Sequence, residues 1–189
     1  MRKVTLAIIG LCLSCLAAAP AGHSSDLPRP THDPIQAALR RLQPRLKGPR
    51  ASALARDFRN AALACGQPWQ LLVSIAYHES SLGFARVNSR TGDFGLMQIN
   101  SKTGLHYDIA QATLVKDDAL SLAVACRVLS ENKARFGSKV PYWIGLYRSG
   151  TRLASAGIRD NAKRYDRMVR ATAAQIGYQN GWHPENYQQ

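Results

Sequence analysis

The sequence predicts a mainly α-helical fold, and three observations support this prediction. Apolar residues recur at spacings of three and four along several stretches, which is the period of a helix with one buried face. Proline or acidic and hydroxyl residues precede these stretches, and glycine follows most of them. Strand-like features are restricted to a glycine-rich region, which predicts a short β-turn or hairpin segment near residues 86–100.

The first 21 residues have the features of a secretory signal peptide. Two basic residues precede an apolar run at residues 6–16, and Ala19-Pro20-Ala21 supplies an Ala-x-Ala cleavage pattern. The run is too short to span a bilayer. We therefore expect cleavage near Ala21 and a periplasmic or secreted protein without stable membrane insertion. A retained N-terminal anchor is the alternative.

Residues 22–50 have the composition of a Pro/Arg-rich linker. They contain five prolines and a group of arginines, and such a segment breaks helices repeatedly and buries little. We expect a tether with at most one helical turn near Ile35–Leu42. The domain itself then covers residues 51–176, a length that suits a single compact unit, and residues 177–189 form a polar tail.

Two helices are predicted at the start of the domain. Ser52 is a capping residue for the first, whose apolar face carries Leu54 and Phe58, and Gly66 ends it. Pro68 suits the first turn of the second helix, where a missing N–H costs nothing. No Gly or Pro interrupts this second helix before residue 80.

Three more helices are predicted after the glycine-rich region. Residues 103–115 are ambiguous and fit a loop with a short helix. Asp117-Asp118 then cap a strong helix at residues 119–135. Glycines end this helix and the next one, which starts at Pro141 and stops at residue 150. The last predicted helix covers residues 159–176.

Glu79 is the unusual residue of the second helix. Leu72, Ile75 and Ala76 form an apolar stripe, and Glu79 occupies the next position on that stripe. Apolar surroundings and a helix C-terminus both favour the neutral form of a carboxyl group. A glutamic acid that is neutral near pH 7 can act as a general acid. The alternative is that Glu79 ends the helix and turns to solvent.

Glu79 also stands within a motif that resembles a known enzyme family. His-Glu-Ser-Ser at 78–81, followed by Gly-Asp-Phe-Gly-Leu-Met-Gln-Ile-Asn at 92–100, resembles the lytic transglycosylase domain of the soluble-lytic-transglycosylase type. The resemblance implies a lysozyme-like helical domain that cleaves peptidoglycan between N-acetylmuramic acid and N-acetylglucosamine with a 1,6-anhydro product. It implies that Glu79 is the catalytic acid and then the base, and that no cofactor or metal is needed.

The same resemblance implies a set of substrate-binding residues. These are Ser80, Ser81, Met97, Gln98, Asn100, Tyr147 and Tyr165. Ser80 would position the acetamido group or support Glu79, and Tyr165 would hydrogen-bond Glu79. We expect residues 96–99 to be extended, with Leu96 and Gln98 on one side and Met97 and Ile99 on the other. The resemblance implies that Met97 and Gln98 line the saccharide side. Arg148 replaces the asparagine that is usual in this family, which puts one polar contact in doubt.

Cys65 and Cys126 are the only cysteines outside the predicted signal peptide, and they lie on separate predicted helices. In an oxidising compartment they would form one disulfide, with two buried free thiols as the alternative. No Cys/His cluster has the spacing of metal ligands.

The strong positive charge indicates an acidic partner. Without residues 1–21, which carry two cations and no anion, the formal charge falls from +13 to +11. The basic residues are scattered, which does not fit a nucleic-acid site but fits attraction to the carboxylate-bearing peptides of the cell wall. Resemblance to small secreted transglycosylases suggests a secretion, conjugation or pilus machine as a partner. Two alternatives are a hydrolytic goose-type lysozyme, with a second acid such as Asp93, and a non-catalytic wall-binding module of a secretion apparatus.

Overall fold

The structure is a computed structural model that describes residues 33–150 and 155–178. The predictions for the signal peptide, for residues 22–32 of the linker and for residues 179–189 of the tail lie outside the described residues. In chain order the elements are α1 (Pro34–Leu42), α2 (Gly48–Cys65), α3 (Trp69–Ser80), β1 (Val87–Asn88), β2 (Asp93–Phe94), β3 (Ile99–Asn100), α4 (Ser101–His106), α5 (Gln111–Lys116), α6 (Asp118–Phe136), a 3₁₀ turn (Trp143–Gly145), α7 (Leu146–Ser149) and α8 (Ala156–Tyr178). The mainly α-helical class is confirmed.

Helix α3 is the central element of the core. It is buried around most of its circumference, and it packs against α8 on one side and α2 on another, while α2 also packs against α6. The helix begins after Pro68, and it ends at Ser81, whose backbone is left-handed with φ 53°. The C-terminal turn of α3, which carries Glu79, therefore emerges from the core next to the small sheet.

The three short strands form an antiparallel sheet in the order β1-β2-β3. Asp93 pairs with Asn88 on one side and with Asn100 on the other. The pairing of Phe94 with Ile99 leaves residues 95–98 to reverse the chain, so the extended conformation predicted for residues 96–99 is wrong for the first three of them.

Gly95 begins this chain reversal, and no other residue type fits there. Its φ is +82°, which L side chains rarely adopt, and a Cβ atom would collide with the backbone carbonyl of Leu114. The reversal is therefore held tightly against the end of α5.

The structure differs from the sequence-based expectation at α1, which is a helix of nine residues and not a tether. The side chain of Asp33 caps it by accepting a hydrogen bond from the Ile35 N–H at 3.0 Å. Ile35 and Leu39, one helical turn apart, are both buried in the core together with Leu46. These three side chains are enough to fix the segment on the domain despite its prolines.

The prolines of this segment stand where helices tolerate them. Pro34 and Pro49 each lie in the first turn of a helix, α1 and α2, where a missing N–H breaks no intrahelical bond. Helix α2 accordingly begins at Gly48 and not after Ser52, so the predicted boundary at residue 51 falls inside a helix. Its predicted end is confirmed, because Gly66 follows with a left-handed φ of 61°.

Two cross-links join α2 to α6. The side chains of Cys65 and Cys126 face each other closely enough for a disulfide, with Cα atoms 5.8 Å apart. At the other end, the buried carboxylate of Asp118 accepts two hydrogen bonds from Arg86, at 2.8 and 3.2 Å, and also contacts Arg50. Arg86 lies just after α3, so this ion cluster ties three segments together.

The later helices follow the prediction with small changes. The ambiguous residues 103–115 contribute to α4 and α5, and the helix predicted after Pro141 is a 3₁₀ turn followed by α7. Gly145 is required there because a Cβ atom would strike the backbone of Ala162 in α8. Within residues 33–150 and 155–178, no helix has the length and hydropathy of a membrane-spanning segment.

Candidate active site

A cleft of about 510 Å³ opens where α3 ends, between the sheet, α6 and α7. Most of its lining side chains are polar but uncharged, which suits a ligand rich in hydroxyl and amide groups. The residues that line it are His78, Glu79, Asn88, Thr91, Asp93, Gln98, Ile99, Asn100, Thr103, Val128, Tyr147, Arg148, Ser149 and Gly150. The sequence-predicted residues Glu79, Gln98, Asn100 and Tyr147 thus come together in one cavity.

Glu79 is the acid of the cleft, and one of its oxygens is buried without a partner. Its Oε1 atom makes no hydrogen bond to any described residue. Burial raises the pKa of Glu79, the Tyr165 hydroxyl and the Arg148 guanidinium oppose this rise, and the charge of Asp93 adds to it. The pKa therefore stays above the ordinary value of 4.5. This supports the expectation of a carboxyl group held in its neutral form.

Two tyrosines stand near Glu79, and their hydroxyl groups differ. Tyr147 donates a hydrogen bond of 2.7 Å to the Met97 carbonyl, which joins α7 to the sheet region. The Tyr165 hydroxyl is buried and faces Glu79 closely enough to affect its pKa, yet the two groups do not have the geometry of a formed hydrogen bond. Burial, followed by the charge of Glu79, raises the pKa of Tyr165 well above its ordinary value. Tyr165 thus remains a neutral donor beside Glu79.

Asp93 is the second carboxyl group of the cleft, and it is held by its neighbours. Its Oδ1 accepts a hydrogen bond of 2.9 Å from the Asn100 amide, and its Oδ2 accepts one from the Thr91 hydroxyl. The Asn100 amide also donates to the Thr91 carbonyl at 3.0 Å, while the Asn100 side-chain oxygen caps α4. The sheet therefore presents Asp93 in one fixed orientation.

Gln98 reaches the cleft from a strained backbone position. Its φ is 47°, a left-handed conformation that is uncommon outside glycine. Its side-chain NH₂ donates to the carbonyls of Gly95 and Ala85, at 2.9 and 3.2 Å. These two bonds fix the amide plane and leave the side-chain oxygen as the atom that can accept a hydrogen bond from a sugar hydroxyl.

Besides Tyr165, which faces Glu79 but does not line the cleft, three sequence-predicted binding residues do not reach it. Ser80 is buried, where its hydroxyl donates to the Leu96 carbonyl at 2.6 Å and accepts from the Gly83 N–H at 2.8 Å. Met97 is fully buried, because the chain reversal at residues 95–98 turns its side chain into the core. Ser81 is exposed at the end of α3 and does not line the cavity. Ser80 and Met97 therefore support the site from behind.

Two cleft residues were not assigned a role from the sequence. His78 shares a hydrogen bond of 2.9 Å with Thr172 and packs edge-on against Tyr165, with ring centroids 6.5 Å apart. Burial lowers the pKa of His78, so it is mostly neutral near pH 7. The Arg148 guanidinium lies 5.6 Å from the centre of the Tyr165 ring. The sequence signals for these two residues were the position of His78 directly before Glu79 and the place of Arg148 where the family usually has asparagine.

Chemically, the cleft offers one raised-pKa acid, a neutral tyrosine donor, an oriented carboxylate and fixed amides. Among the described residues no three His, Cys, Asp or Glu side chains gather as metal ligands. This arrangement can bind a polar sugar chain and donate a proton to it.

Comparison with known proteins agrees with this chemistry. A family model described as the transglycosylase SLT domain matches residues 57–181. No curated protein and no solved structure gave a match. The matched region covers well over half of the chain and includes every lining residue of the cleft. The chain therefore belongs to the SLT family of peptidoglycan transglycosylases, and its mainly helical fold with a small antiparallel sheet is lysozyme-like.

Proposed function

We propose that this protein is a lytic transglycosylase that cleaves the β-1,4 bond between N-acetylmuramic acid and N-acetylglucosamine and releases a 1,6-anhydro product. The observation that carries the proposal is the state of Glu79, a largely buried and unpaired carboxyl group with a raised pKa on the wall of a polar cleft. Burial and a raised pKa favour the protonated form, which is the form that a general acid needs.

In the proposed reaction Glu79 protonates the glycosidic oxygen while the bond from that oxygen to the anomeric carbon breaks. The carbonyl oxygen of the substrate's own N-acetyl group bonds to the anomeric carbon and takes up the positive charge. Glu79, now a carboxylate, accepts the proton of the muramyl C6 hydroxyl. The C6 oxygen then bonds to the anomeric carbon, the N-acetyl group leaves it, and no water is consumed.

The remaining residues have supporting roles in this proposal. The Tyr165 hydroxyl lies where it can donate to Glu79 once that group becomes an anion, and Gln98 and Asn100 contact the sugar hydroxyls. Tyr147 and the buried Ser80 and Met97 hold the wall of the cleft in place. Ser81 has no contact with the cavity that would support the binding role first expected of it.

A hydrolytic, goose-type lysozyme reaction is the second candidate, and the position of Asp93 in the same cleft favours it. In that reaction Asp93 would activate a water molecule, so the product would be a reducing sugar. Both oxygens of Asp93 already accept hydrogen bonds from Thr91 and Asn100, which fits a binding role better than that of a base. A non-catalytic wall-binding module would have no need for a raised-pKa acid at this position.

Export to the periplasm or beyond is part of the proposal, together with cleavage near Ala21 and a Cys65–Cys126 disulfide in the mature protein. The N-terminal sequence pattern and the closeness of the two cysteines support it. A secretion, conjugation or pilus machine as partner rests only on likeness to other small secreted transglycosylases.

The test is mass analysis of the muropeptides released from purified cell wall by the mature protein. We expect anhydromuramyl ends, which weigh one water less than reducing ends. Reducing ends alone would support the lysozyme reaction, and the absence of release by a folded protein would support the wall-binding module.

A further inference from the structure

A second cavity, also of about 510 Å³, lies beside the catalytic cleft and shares Arg148 with it. Tyr165 stands between the two, since its hydroxyl faces Glu79 and its ring forms part of the second cavity. We call this cavity the arginine pocket. Its lining includes Arg148, Asn161, Arg164, Ile158, Met168 and Tyr165.

The charge of the arginine pocket is entirely positive among its described lining residues. Arg148 and Arg164 form no ion pair with a carboxylate in residues 33–150 and 155–178. Arg164 donates to the neutral Asn161 amide oxygen at 2.7 Å. The acids nearest in sequence on α8 are used elsewhere: Asp160 pairs with Lys163 and Asp166 with Arg170. Among the described residues, therefore, no carboxylate forms an ion pair with either guanidinium group, although Arg148 lies near enough to Glu79 to affect its pKa.

The pocket also has an apolar part. Ile158 is half-buried, and Met168 has 42% of its surface exposed although it is a large apolar residue. A ligand that combines a carboxylate with short aliphatic groups would satisfy both parts, because guanidinium groups bind carboxylates through paired hydrogen bonds. A muramyl residue without its peptide carries only the lactyl carboxylate, which lies directly at the sugar ring, whereas the attached peptide carries its carboxylates further from the ring.

We propose that the arginine pocket binds a free carboxylate of the peptide attached to the muramyl residue at the cleavage position, so that the enzyme selects strands that carry acidic peptides. This inference rests on the proposed function of the neighbouring cleft. The muramyl lactyl group carries the peptide away from the sugar ring, and a neighbouring pocket is where such a branch can bind. Arg148 lines both cavities, so its guanidinium group lies at the border between them.

The test compares three forms of the same glycan strand: with free peptide carboxylates, with these carboxylates converted to amides, and with the peptides removed by an amidase. The rate constant kcat/KM is measured for each by chromatography of the released products. A charge-assisted pair lost from the complex corresponds to about a tenfold to hundredfold change. We expect the wild type to prefer free carboxylates over amides by at least that lower factor. The peptide-free strand, whose only carboxylate is the lactyl one at the sugar ring, should also have a lower kcat/KM than the strand with free peptide carboxylates.

Arg148→Gln and Arg164→Gln should each bring the ratio of kcat/KM between the acidic and amidated strands close to one. The ratio cancels any general loss of activity that either substitution causes. Arg56→Gln is the matched control, because it removes the same charge from an exposed position on α2 away from both cavities. It should keep the wild-type ratio, which separates the pocket from general attraction between a basic protein and an acidic wall.

A second measurement covers the case in which an arginine variant fails to fold. The soluble dipeptide L-alanyl-D-glutamate should inhibit the wild-type enzyme competitively, and its diamide should not. A wild-type ratio near one, a ratio that survives both pocket substitutions, or equal inhibition by acid and amide would overturn the inference. Failure of the proposed function would be a different result. It would appear as reducing ends in place of anhydro ends among the products, whatever the ratio of kcat/KM between the acidic and amidated strands.

Discussion

Glu79 and Asp118 are both acidic residues on long helices beside the core, but their surroundings are opposite. Asp118 is the first residue of α6, where the helix dipole favours an anion, and Arg86 and Arg50 contact its carboxylate. Glu79 lies in the last turn of α3, where the dipole disfavours an anion, and its Oε1 is buried without a partner. The helix end and the available partners therefore decide whether a carboxyl group stabilises the fold or remains free for proton transfer.

The same contrast extends to the regions around the two residues. The α2–α6 region is joined by the Asp118 cluster at one end and by the close pair Cys65 and Cys126 at the other. The cleft region leaves Glu79 and the Tyr165 hydroxyl buried and unpaired. Buried polar groups without partners lower stability. The cross-linked region therefore has to supply stability that offsets the cost of the unpaired groups in the cleft.

The largest effect is expected from Glu79→Gln. The amide cannot donate a proton and then accept one, so the rate of wall lysis should fall by about a thousandfold or more. Muropeptide release measured by mass analysis checks this, with circular dichroism as the control for folding. Substantial lysis by a well-folded Glu79→Gln protein would remove Glu79 from the role of acid.

Glu79→Gln should also test the contrast between the unpaired Glu79 and the paired Asp118 through its effect on stability. Because the pKa of Glu79 is raised in the folded state, its ionisation costs folding free energy as the pH rises from the ordinary pKa of 4.5 through the folded pKa, and the cost is constant above that. The variant has no such cost, so it should be more stable than the wild type at neutral pH, and the difference should disappear below the ordinary pKa of 4.5. Urea unfolding at several pH values measures it. A variant that is less stable at neutral pH would mean that Glu79 is well paired.

Breaking the disulfide tests the cross-linked region. The two cysteines are 61 residues apart in sequence, and the loop-entropy relation gives about 4 kcal/mol for a bridge of that length. Cys65→Ser/Cys126→Ser should lower the free energy of unfolding on that scale, while the folded variant still lyses cell wall at low temperature. Native protein that titrates with two free thiols and melts at the same temperature with or without reductant would contradict the pairing.

Asp118→Asn should cost about 2–4 kcal/mol of stability, because it leaves two arginines without their anion. The cost is limited because both arginine side chains are partly exposed to water. The matched control is Glu131→Gln, which removes an exposed carboxylate paired with Arg127 on the same helix and should change stability by no more than about 0.5 kcal/mol. Denaturant midpoints measure both. The Asp118→Asn rate per folded molecule should stay close to that of the wild type, and a loss as large as that of Glu79→Gln would end the distinction between the two acids.

The smallest effect is expected from Tyr165→Phe. In the proposed reaction the hydroxyl stabilises Glu79 as an anion after the first proton transfer. Its removal should therefore lower the rate by about tenfold to a hundredfold, which corresponds to one hydrogen bond to a charged group. The pKa of Glu79 should rise further, because burial and the charge of Asp93 both raise it and Arg148 would be the one remaining group that lowers it. Since Glu79 must start protonated, the alkaline limb of the pH–rate profile should move to higher pH. Full activity with an unchanged profile would leave Tyr165 as a packing residue only.

Much of the fold was predictable because its signals are local. The apolar spacing and caps of α3 and α6 identify these helices, and Gly66 marks the end of α2. Helix α1 was underestimated because five prolines in residues 22–50 suggest a broken chain. Two of them lie in the first turn of a helix and break nothing, which becomes visible only when Ile35 and Leu39 are seen to be buried.

The candidate site was predictable in part. Glu79, Gln98 and Asn100 fall in one motif and do line the cleft. Met97 belongs to the same motif, yet it is buried because the pairing of Phe94 with Ile99 turns its side chain inward. Whether a motif residue faces solvent or core depends on the strand register, and that is fixed by hydrogen bonds between segments that the motif does not contain.

The sequence alone determined the helical class, the acid-bearing end of α3, and the family motif, because helix period, caps and motif spacing are properties of neighbouring residues. Only the tertiary structure decided which acid is paired and which is free. Arg86 meets Asp118 across 32 positions and Arg148 comes to the Tyr165 ring from another helix, and no local pattern encodes either approach. Burial and ionic contact depend on how distant segments pack, and this packing leaves Glu79 unpaired and its pKa raised.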